Sequence, residues 1–82
     1  MTLEELKAAS FVVGRKETER VVEKNEALYV FIASDCDERI AGPLEKICHR
    51  AEIPFTREYA KKEIGKACGI KVKAAACAVL KS

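Results

Sequence analysis

The feature that most constrains the fold is a run of seven consecutive apolar residues, Ala27 to Ala33, near the middle of the 82-residue chain. A strand covered on both faces reads as an unbroken apolar run, whereas a half-exposed strand alternates apolar and polar residues. The run is far shorter than the roughly 20 apolar residues of a membrane-spanning helix. We therefore predict a central β-strand between two layers. Because no export signal precedes it, we expect a soluble, cytoplasmic protein.

Helix and strand patterns alternate along the rest of the chain. Helical patterns predict four helices, at residues 2–10, 16–25, 38–51 and 61–68. Short apolar or β-branched runs predict three further strands, at residues 11–13, 54–57 and 74–80. Gly42–Pro43, inside the third helix, marks a kink or a restart. This α-β-α-β-α-β-α-β order is typical of a three-layer α/β/α sandwich with a parallel or mixed sheet, and the absence of a linker predicts a single domain over residues 1–82.

The charges are unevenly distributed along the chain. Fifteen Lys and Arg residues against thirteen Asp and Glu residues leave a net charge of only +2. From Arg57 to the end, however, there are seven basic residues and two acids, Glu58 and Glu63. A locally basic segment of this kind favours an acidic partner.

The chain lacks the residue patterns of an enzyme or a metal site. Neither glycine-rich nucleotide-binding motif is present, and the single histidine, His49, lies in the middle of a predicted helix, where a structural role is favoured. The four cysteines form no C-x-x-C pair, so we expect reduced, mostly buried thiols. Asp35 and Asp37 are spaced as a metal pair might be, but they directly precede a helix, which favours capping. We therefore predict no catalytic residue, no metal and no cofactor.

The first segment with candidate binding chemistry is the start of the second predicted helix. It contains Gly14, Arg15, Lys16, Glu17 and Arg20. The N–H groups of a helix start can meet phosphate, Lys and Arg can donate to guanine acceptors, and Glu can accept from base amino groups. The same charge pattern also fits a solvated helix face with ordinary ion pairs.

The second segment is the loop after the fourth predicted helix. Beyond Gly69, Ile70 and Val72 alternate with Lys71 and Lys73, and we expect the loop to present these apolar side chains, at least one of which should stay exposed. Apolar side chains on a basic loop suit an extruded RNA base, which needs an apolar surface to lie on and a cation for its phosphate. A merely structural loop would be polar.

Four stretches of the chain together resemble the ribosomal kink-turn-binding protein family. They are Gly-Arg-Lys-Glu-Thr-Glu-Arg at 14–20, Ala-Ser-Asp-Cys-Asp at 33–37, Ile-Pro-Phe at 53–55 and Ile-Gly-Lys-Ala-Cys-Gly-Ile at 64–70, before an alanine-rich last strand. Members of this family include an archaeal large-subunit ribosomal protein, a eukaryotic box C/D snoRNP core protein and short bacterial paralogues. The resemblance covers nearly the whole chain, and it implies an α/β/α sandwich with a four-stranded mixed sheet.

The resemblance also implies a partner and a set of contacts. The partner is a kink-turn, a sharply bent RNA internal loop with tandem sheared G·A pairs and an extruded nucleotide, present in ribosomal RNA, riboswitch leaders and guide RNAs. Gly14 begins the motif turn, and the residues that match contacts to the sheared pairs are Lys16, Glu17 and Arg20. Lys61 matches a basic position near the backbone. The residues that match positions beside the extruded nucleotide are Asp37, Ile70, Lys71 and Val72.

Two residues depart from the archaeal and eukaryotic pattern. Lys16 replaces an asparagine, and because lysine donates but does not accept, we expect less selective reading of the base there. Lys73 replaces a proline, which predicts a less rigid loop. The short bacterial members match better at both positions. We also expect a monomer that is associated with the ribosome or with translation. The alternative is a protein-interaction module whose basic C-terminal loop docks an acidic partner or a ribosomal surface.

Overall fold

The computed structural model describes residues 1–81 and confirms the predicted α-β-α-β-α-β-α-β order. The helices are α1 (Leu3–Lys7), α2 (Arg15–Glu23), α3 (Glu38–Ala51) and α4 (Lys61–Ala67). The strands are β1 (Phe11–Val13), β2 (Ala27–Ile32), β3 (Phe55–Thr56) and β4 (Ala76–Leu80). Within the described residues, no helix has both the length and the apolar character needed to cross a membrane.

The strands form one mixed sheet in the order β1-β4-β2-β3. Strand β4 is antiparallel to both β1 and β2, whereas β3 is parallel to β2. The predicted four-stranded mixed sheet and the central place of β2 are therefore confirmed. Within β2, only Val30 to Ile32 form a continuous stretch of buried side chains. Near the start of the strand, where the register with β4 is irregular, Leu28 is 51% exposed.

The helices cover the sheet on both faces. All four residues from Ala76 to Val79 in β4 are buried, and because successive strand side chains point to opposite faces, both faces of β4 must be covered. Helices α2 and α3 pack against each other and the sheet, while α1 packs on α4, which contacts β4. Leu6, Leu44 and Ile64 anchor α1, α3 and α4 with fully buried side chains, each worth about 1.5–3 kcal/mol of hydrophobic stabilisation.

Two helix predictions differ from the structure. Helix α1 ends at Lys7 rather than near Ser10, because the N–H groups of Ala8 and Ala9 bond to carbonyls three residues earlier, which tightens the turn into β1. Helix α3 runs unbroken as one element through Pro43, so the predicted restart is wrong. The buried side chains of Ala41 and Leu44 lie on either side of the proline, and their packing offsets the single helical hydrogen bond that Pro43 cannot make.

All four cysteines are free thiols. The side chains of Cys36, Cys48 and Cys77 are buried, and that of Cys68 is partly buried. Burial raises the pKa of each thiol, and the pKa of Cys48 rises to about 11. The cysteines therefore pack as core residues, as predicted from their spacing.

Candidate nucleic-acid interface

The sheet topology brings the candidate residues to one edge. Because β4 is antiparallel to its two neighbours and β3 is parallel to β2, the start of β4 lies beside the ends of β1, β2 and β3. The Gly14 N–H donates to the Ala76 carbonyl at 2.9 Å, and the Ala33 N–H donates to the Ala75 carbonyl at 2.9 Å. The start of α2, the segment before β4 and the loop after β2 therefore share this edge, which we call the binding edge.

Residues 14–20, which we call the α2 tip, begin with a glycine in a conformation that other residues avoid. Gly14 has φ +106° and ψ 157°, which lets the chain pass from β1 directly into α2. Its carbonyl accepts the first helical bond from the Thr18 N–H at 3.0 Å. Thr18 is buried, while Arg15 and Lys16 are exposed. The predicted turn at Gly14 is therefore present.

The α2 tip presents both charge signs to solvent. Lys16, Glu17 and Arg20 are all exposed, and the Arg20 guanidinium forms an ion pair with the Glu17 carboxylate. An exposed pair of this kind contributes at most about 1 kcal/mol. Breaking this pair costs little, so Arg20 and Glu17 can each contact a ligand instead.

The loop between β2 and α3 contributes two carboxylates with different roles. Asp37 caps α3, because its Oδ1 accepts the Arg39 N–H at 2.8 Å, and hydrogen bonds from the Arg39 side chain and N–H hold the pKa of Asp37 below its usual range. The predicted capping role is confirmed for Asp37. The Oδ1 of Asp35 instead accepts the Lys61 N–H at 2.9 Å, which caps α4 and lowers the pKa of Asp35. Sequence reasoning missed this contact because its partners are 26 residues apart.

Further contacts fasten the β2–α3 loop to the segment before α4. The Ser34 N–H donates to the Tyr59 carbonyl at 2.8 Å. The Arg57 guanidinium, only 27% exposed, bonds to Glu38 at 2.8 Å and to Glu45 at 2.7 Å. These contacts place Lys61, at the first position of α4, beside the β2–α3 loop on the binding edge.

Residues 69–73, which we call the basic loop, turn back against α4. Gly69 has φ +75°, and the loop is held at its two ends by hydrogen bonds from the Ile70 N–H to the Gly65 carbonyl and from the Ala74 N–H to the Lys61 carbonyl, both 3.1 Å. Gly65 allows close contact, because a Cβ there would lie 2.3 Å from the Val72 carbonyl oxygen. The loop is therefore packed tightly on its own helix.

The two apolar residues of the basic loop differ in exposure. Val72 is 69% exposed, as predicted. Ile70 is only partly exposed and packs against the core. The prediction that at least one of the two side chains stays exposed is therefore confirmed by Val72. The tight turn after Gly69 directs the chain back toward α4, and this turns Ile70 inward.

A cavity of about 510 Å³ lies between α4 and the basic loop, and we call it the lysine cavity. Its lining residues are Lys62, Lys66, Ile70, Lys71, Val72 and Lys73. Three of these are predicted site residues. Sequence reasoning did not single out Lys62 and Lys66 as lining residues, although their spacing of four residues on α4 is the signal that could have found them. Across residues 1–81, no group of three or more His, Cys, Asp or Glu side chains is arranged to hold a metal ion.

Known proteins resemble this chain over nearly all of its length. A family model described as "Ribosomal protein L7Ae/L30e/S12e/Gadd45 family" matches residues 2–82. A Geobacillus stearothermophilus protein named "RNA-binding protein YbxF" is 38% identical over 76 residues, which cover 93% of each chain.

Two solved structures share the fold. A "Giardia lamblia 15.5kD RNA binding protein" has a TM-score of 0.85 at 24% identity, covering 98% of this chain and 68% of its own. A Bacillus halodurans protein of unknown function has a TM-score of 0.80 at 18% identity, covering 88% of this chain and 72% of its own.

Proposed function

Because this chain belongs to the ribosomal protein L7Ae/L30e/S12e/Gadd45 family, we propose that it binds RNA kink-turns and stabilises their bent form. The target is a stem with tandem sheared G·A pairs and an extruded nucleotide, within ribosomal RNA or a riboswitch leader. The names of the Geobacillus and Giardia relatives, both RNA-binding proteins, support RNA as the partner. We expect residues 1–82 to act as one monomeric, cytoplasmic domain that binds without catalysis.

The observation that carries the proposal is the placement of the α2 tip beside the basic loop on one edge of the sheet. The hydrogen bond from the Gly14 N–H to the Ala76 carbonyl, 2.9 Å long, joins the α2 tip to the first residue of β4, three residues beyond the basic loop. Lys16 and Arg20 are suited to donate to guanine acceptors in the sheared pairs. A carboxylate repels phosphate, so the exposed Glu17 makes sense on this edge if it accepts from a base amino group.

The remaining residues surround the extruded nucleotide in this proposal. Val72 and Ile70 offer it an apolar surface, and Lys71 and Lys61 approach its phosphates. The carboxylate of Asp37 already accepts three bonds from Arg39. Because a carboxylate has about four acceptor sites, it can still accept a bond from this nucleotide.

The proposal predicts that the protein shifts the RNA toward its bent form. The contacts of Lys16, Glu17 and Arg20 exist only when the two stems are folded together, so binding must favour that form. Fluorescence transfer between dyes on the two stem ends should rise during titration with the protein. A gel shift should show weaker binding to the same stem without its G·A pairs.

The same two measurements can also contradict the proposal. Unchanged fluorescence transfer at saturating protein would contradict stabilisation of the bent form. Equal affinity for the RNAs with and without G·A pairs would favour a general docking surface for acidic partners.

A further inference from the structure

The lysine cavity contains positive charge that the proposed kink-turn contacts do not use. Lys62 and Lys66 lie four residues apart on α4 and form one wall of the cavity of about 510 Å³. Lys71 and Lys73 line it from the basic loop, together with Ile70 and Val72. Of these lysines, only Lys71 belongs to the proposed contacts with the extruded nucleotide.

The geometry of the cavity is set by backbone contacts. Hydrogen bonds from Ile70 to Gly65 and from Ala74 to Lys61 hold the basic loop at its two ends, and Val72 touches the Cα side of Gly65. Helix and loop therefore stay at a fixed spacing when no ligand is bound. A concavity that exists before binding avoids the ordering cost that a flexible loop would add.

In the described part of the chain, the four lysines of the cavity lack close carboxylate partners. Within residues 1–81, none of the four takes part in an ion pair. The carboxylates of Glu63 and Asp35 are held by backbone N–H groups, from Ala60 at 3.0 Å and from Lys61 at 2.9 Å, and Asp35 acts on Lys73 only from beyond ion-pair distance. Four like charges around one concavity repel each other, and a ligand with several negative charges relieves that repulsion.

We propose that the lysine cavity binds the phosphodiester backbone of an RNA stem that flanks the kink-turn. Lys62 and Lys66, with Lys73 opposite, contact successive phosphates and so lengthen the interface beyond the nucleotides that the α2 tip reads. This inference rests on the RNA binding proposed above. It adds a contact that depends on charge and not on base sequence.

The test compares the double variant Lys62→Ala/Lys66→Ala with the matched control Lys24→Ala/Lys46→Ala. All four lysines are exposed and lie on or at the end of helices, and the control pair lies outside the lysine cavity. Both variants lose the same charge, and thermal melts verify that both are folded. Affinities are measured against salt for a kink-turn RNA, for the same RNA with each stem lengthened in turn, and for an RNA without the G·A pairs.

We expect the RNA affinity of the cavity variant, Lys62→Ala/Lys66→Ala, to depend less on salt than the affinities of the wild-type and control proteins. Two lost phosphate contacts should reduce the slope of log affinity against log salt by about 1.5, and affinity near 0.1 M salt should fall by roughly tenfold or more. The wild-type and control proteins should bind more tightly when one of the stems is lengthened, and the cavity variant should not. The preference for the kinked over the unkinked RNA should be equal in all three proteins.

The outcomes separate this inference from the proposed function. A cavity variant with the wild-type slope and the wild-type gain from a longer stem would overturn the backbone contact, even if kink preference is strong. A wild-type protein without kink preference would instead contradict the proposed function, while a reduced slope in the cavity variant would still support the phosphate contact.

Discussion

The α2 tip and the basic loop lie on the same edge of the sheet but are held in shape by different contacts. The α2 tip needs one glycine with a positive φ, after which ordinary helical geometry places Lys16, Glu17 and Arg20. The basic loop depends on a close approach to Gly65 and on hydrogen bonds at both of its ends. The α2 tip combines both charge signs, whereas the basic loop contains only lysines and apolar residues beyond Gly69. From this difference we expect the α2 tip to distinguish kinked from unkinked RNA and the basic loop to strengthen binding to both.

Replacing Gly65 by Ala should have the largest effect, because it disturbs the basic loop without touching the α2 tip. The new Cβ would lie 2.3 Å from the Val72 carbonyl oxygen, so helix or loop must move. We expect a loss of about 1–3 kcal/mol in the free energy of unfolding. Kink-turn affinity of the folded protein should fall by at least about tenfold. Denaturant unfolding and RNA titration measure the two effects.

The matched control for this change is Gly42→Ala in α3. A Cβ at Gly42 meets nothing within 4 Å apart from its chain neighbours, and alanine is favoured over glycine inside a helix by up to about 1 kcal/mol. Pro43 follows directly, however, and proline disfavours helical backbone in a preceding residue that has a Cβ. The gain in helix propensity and the crowding by Pro43 oppose each other, so the stability of the control should change little, and the control should bind RNA normally. Equal stability of the two alanine variants would show that the Gly65–Val72 contact is unimportant.

Glu17→Ala and Lys61→Ala should separate discrimination from affinity at the binding edge. Without Glu17, a base amino group loses its acceptor, and preference for kinked over unkinked RNA should fall by about 1–3 kcal/mol. The freed Arg20 should bind unkinked RNA somewhat better. Lys61→Ala should weaken binding to both RNAs alike and lower the salt slope by about 1. Tighter binding of Glu17→Ala to both RNAs would contradict base reading by Glu17.

Val72→Ser and Ile70→Ser should distinguish the exposed side of the basic loop from its buried side. Val72 is 69% exposed, so its replacement should leave the melting temperature unchanged and weaken kink-turn binding by about fivefold, or about 1 kcal/mol. Ile70 packs against the core, so its replacement should lower the melting temperature. Normal RNA binding by Val72→Ser would exclude the loop's apolar contact with the extruded base.

Adding a reductant should have the smallest effect on stability. With all four cysteines free, thermal melts with and without reductant should coincide. Because burial raises the thiol pKa values, less thiolate exists at a given pH, and alkylation near neutral pH should be much faster in denaturant than in the folded protein. A lower melting temperature with reductant would reveal a disulfide.

Sequence patterns predicted the features that depend on neighbouring residues. The apolar run at Ala27–Ala33 indicated a central strand, and the turn at Gly14 and the cap at Asp37 follow from local backbone chemistry. The packing of Ile70 against the core depends on how the chain folds back after Gly69, so local sequence could not show which of Ile70 and Val72 stays exposed. The capping of α4 by Asp35 and the ion pairs of Arg57 were missed because their partners are distant in sequence.

The strand order that brings the candidate residues to the binding edge also places the end of β4 far from it, and this determines where a label or a fused domain can be attached. The end of β4 lies at the opposite edge, where the Lys81 N–H donates to the Glu26 carbonyl at 2.9 Å. The length of β4 separates the two edges by roughly 15 Å. A dye, a solid support or a fused domain joined after Lys81 would therefore be attached on the side opposite the binding edge, so an immobilised protein should keep this edge open to a ligand in solution.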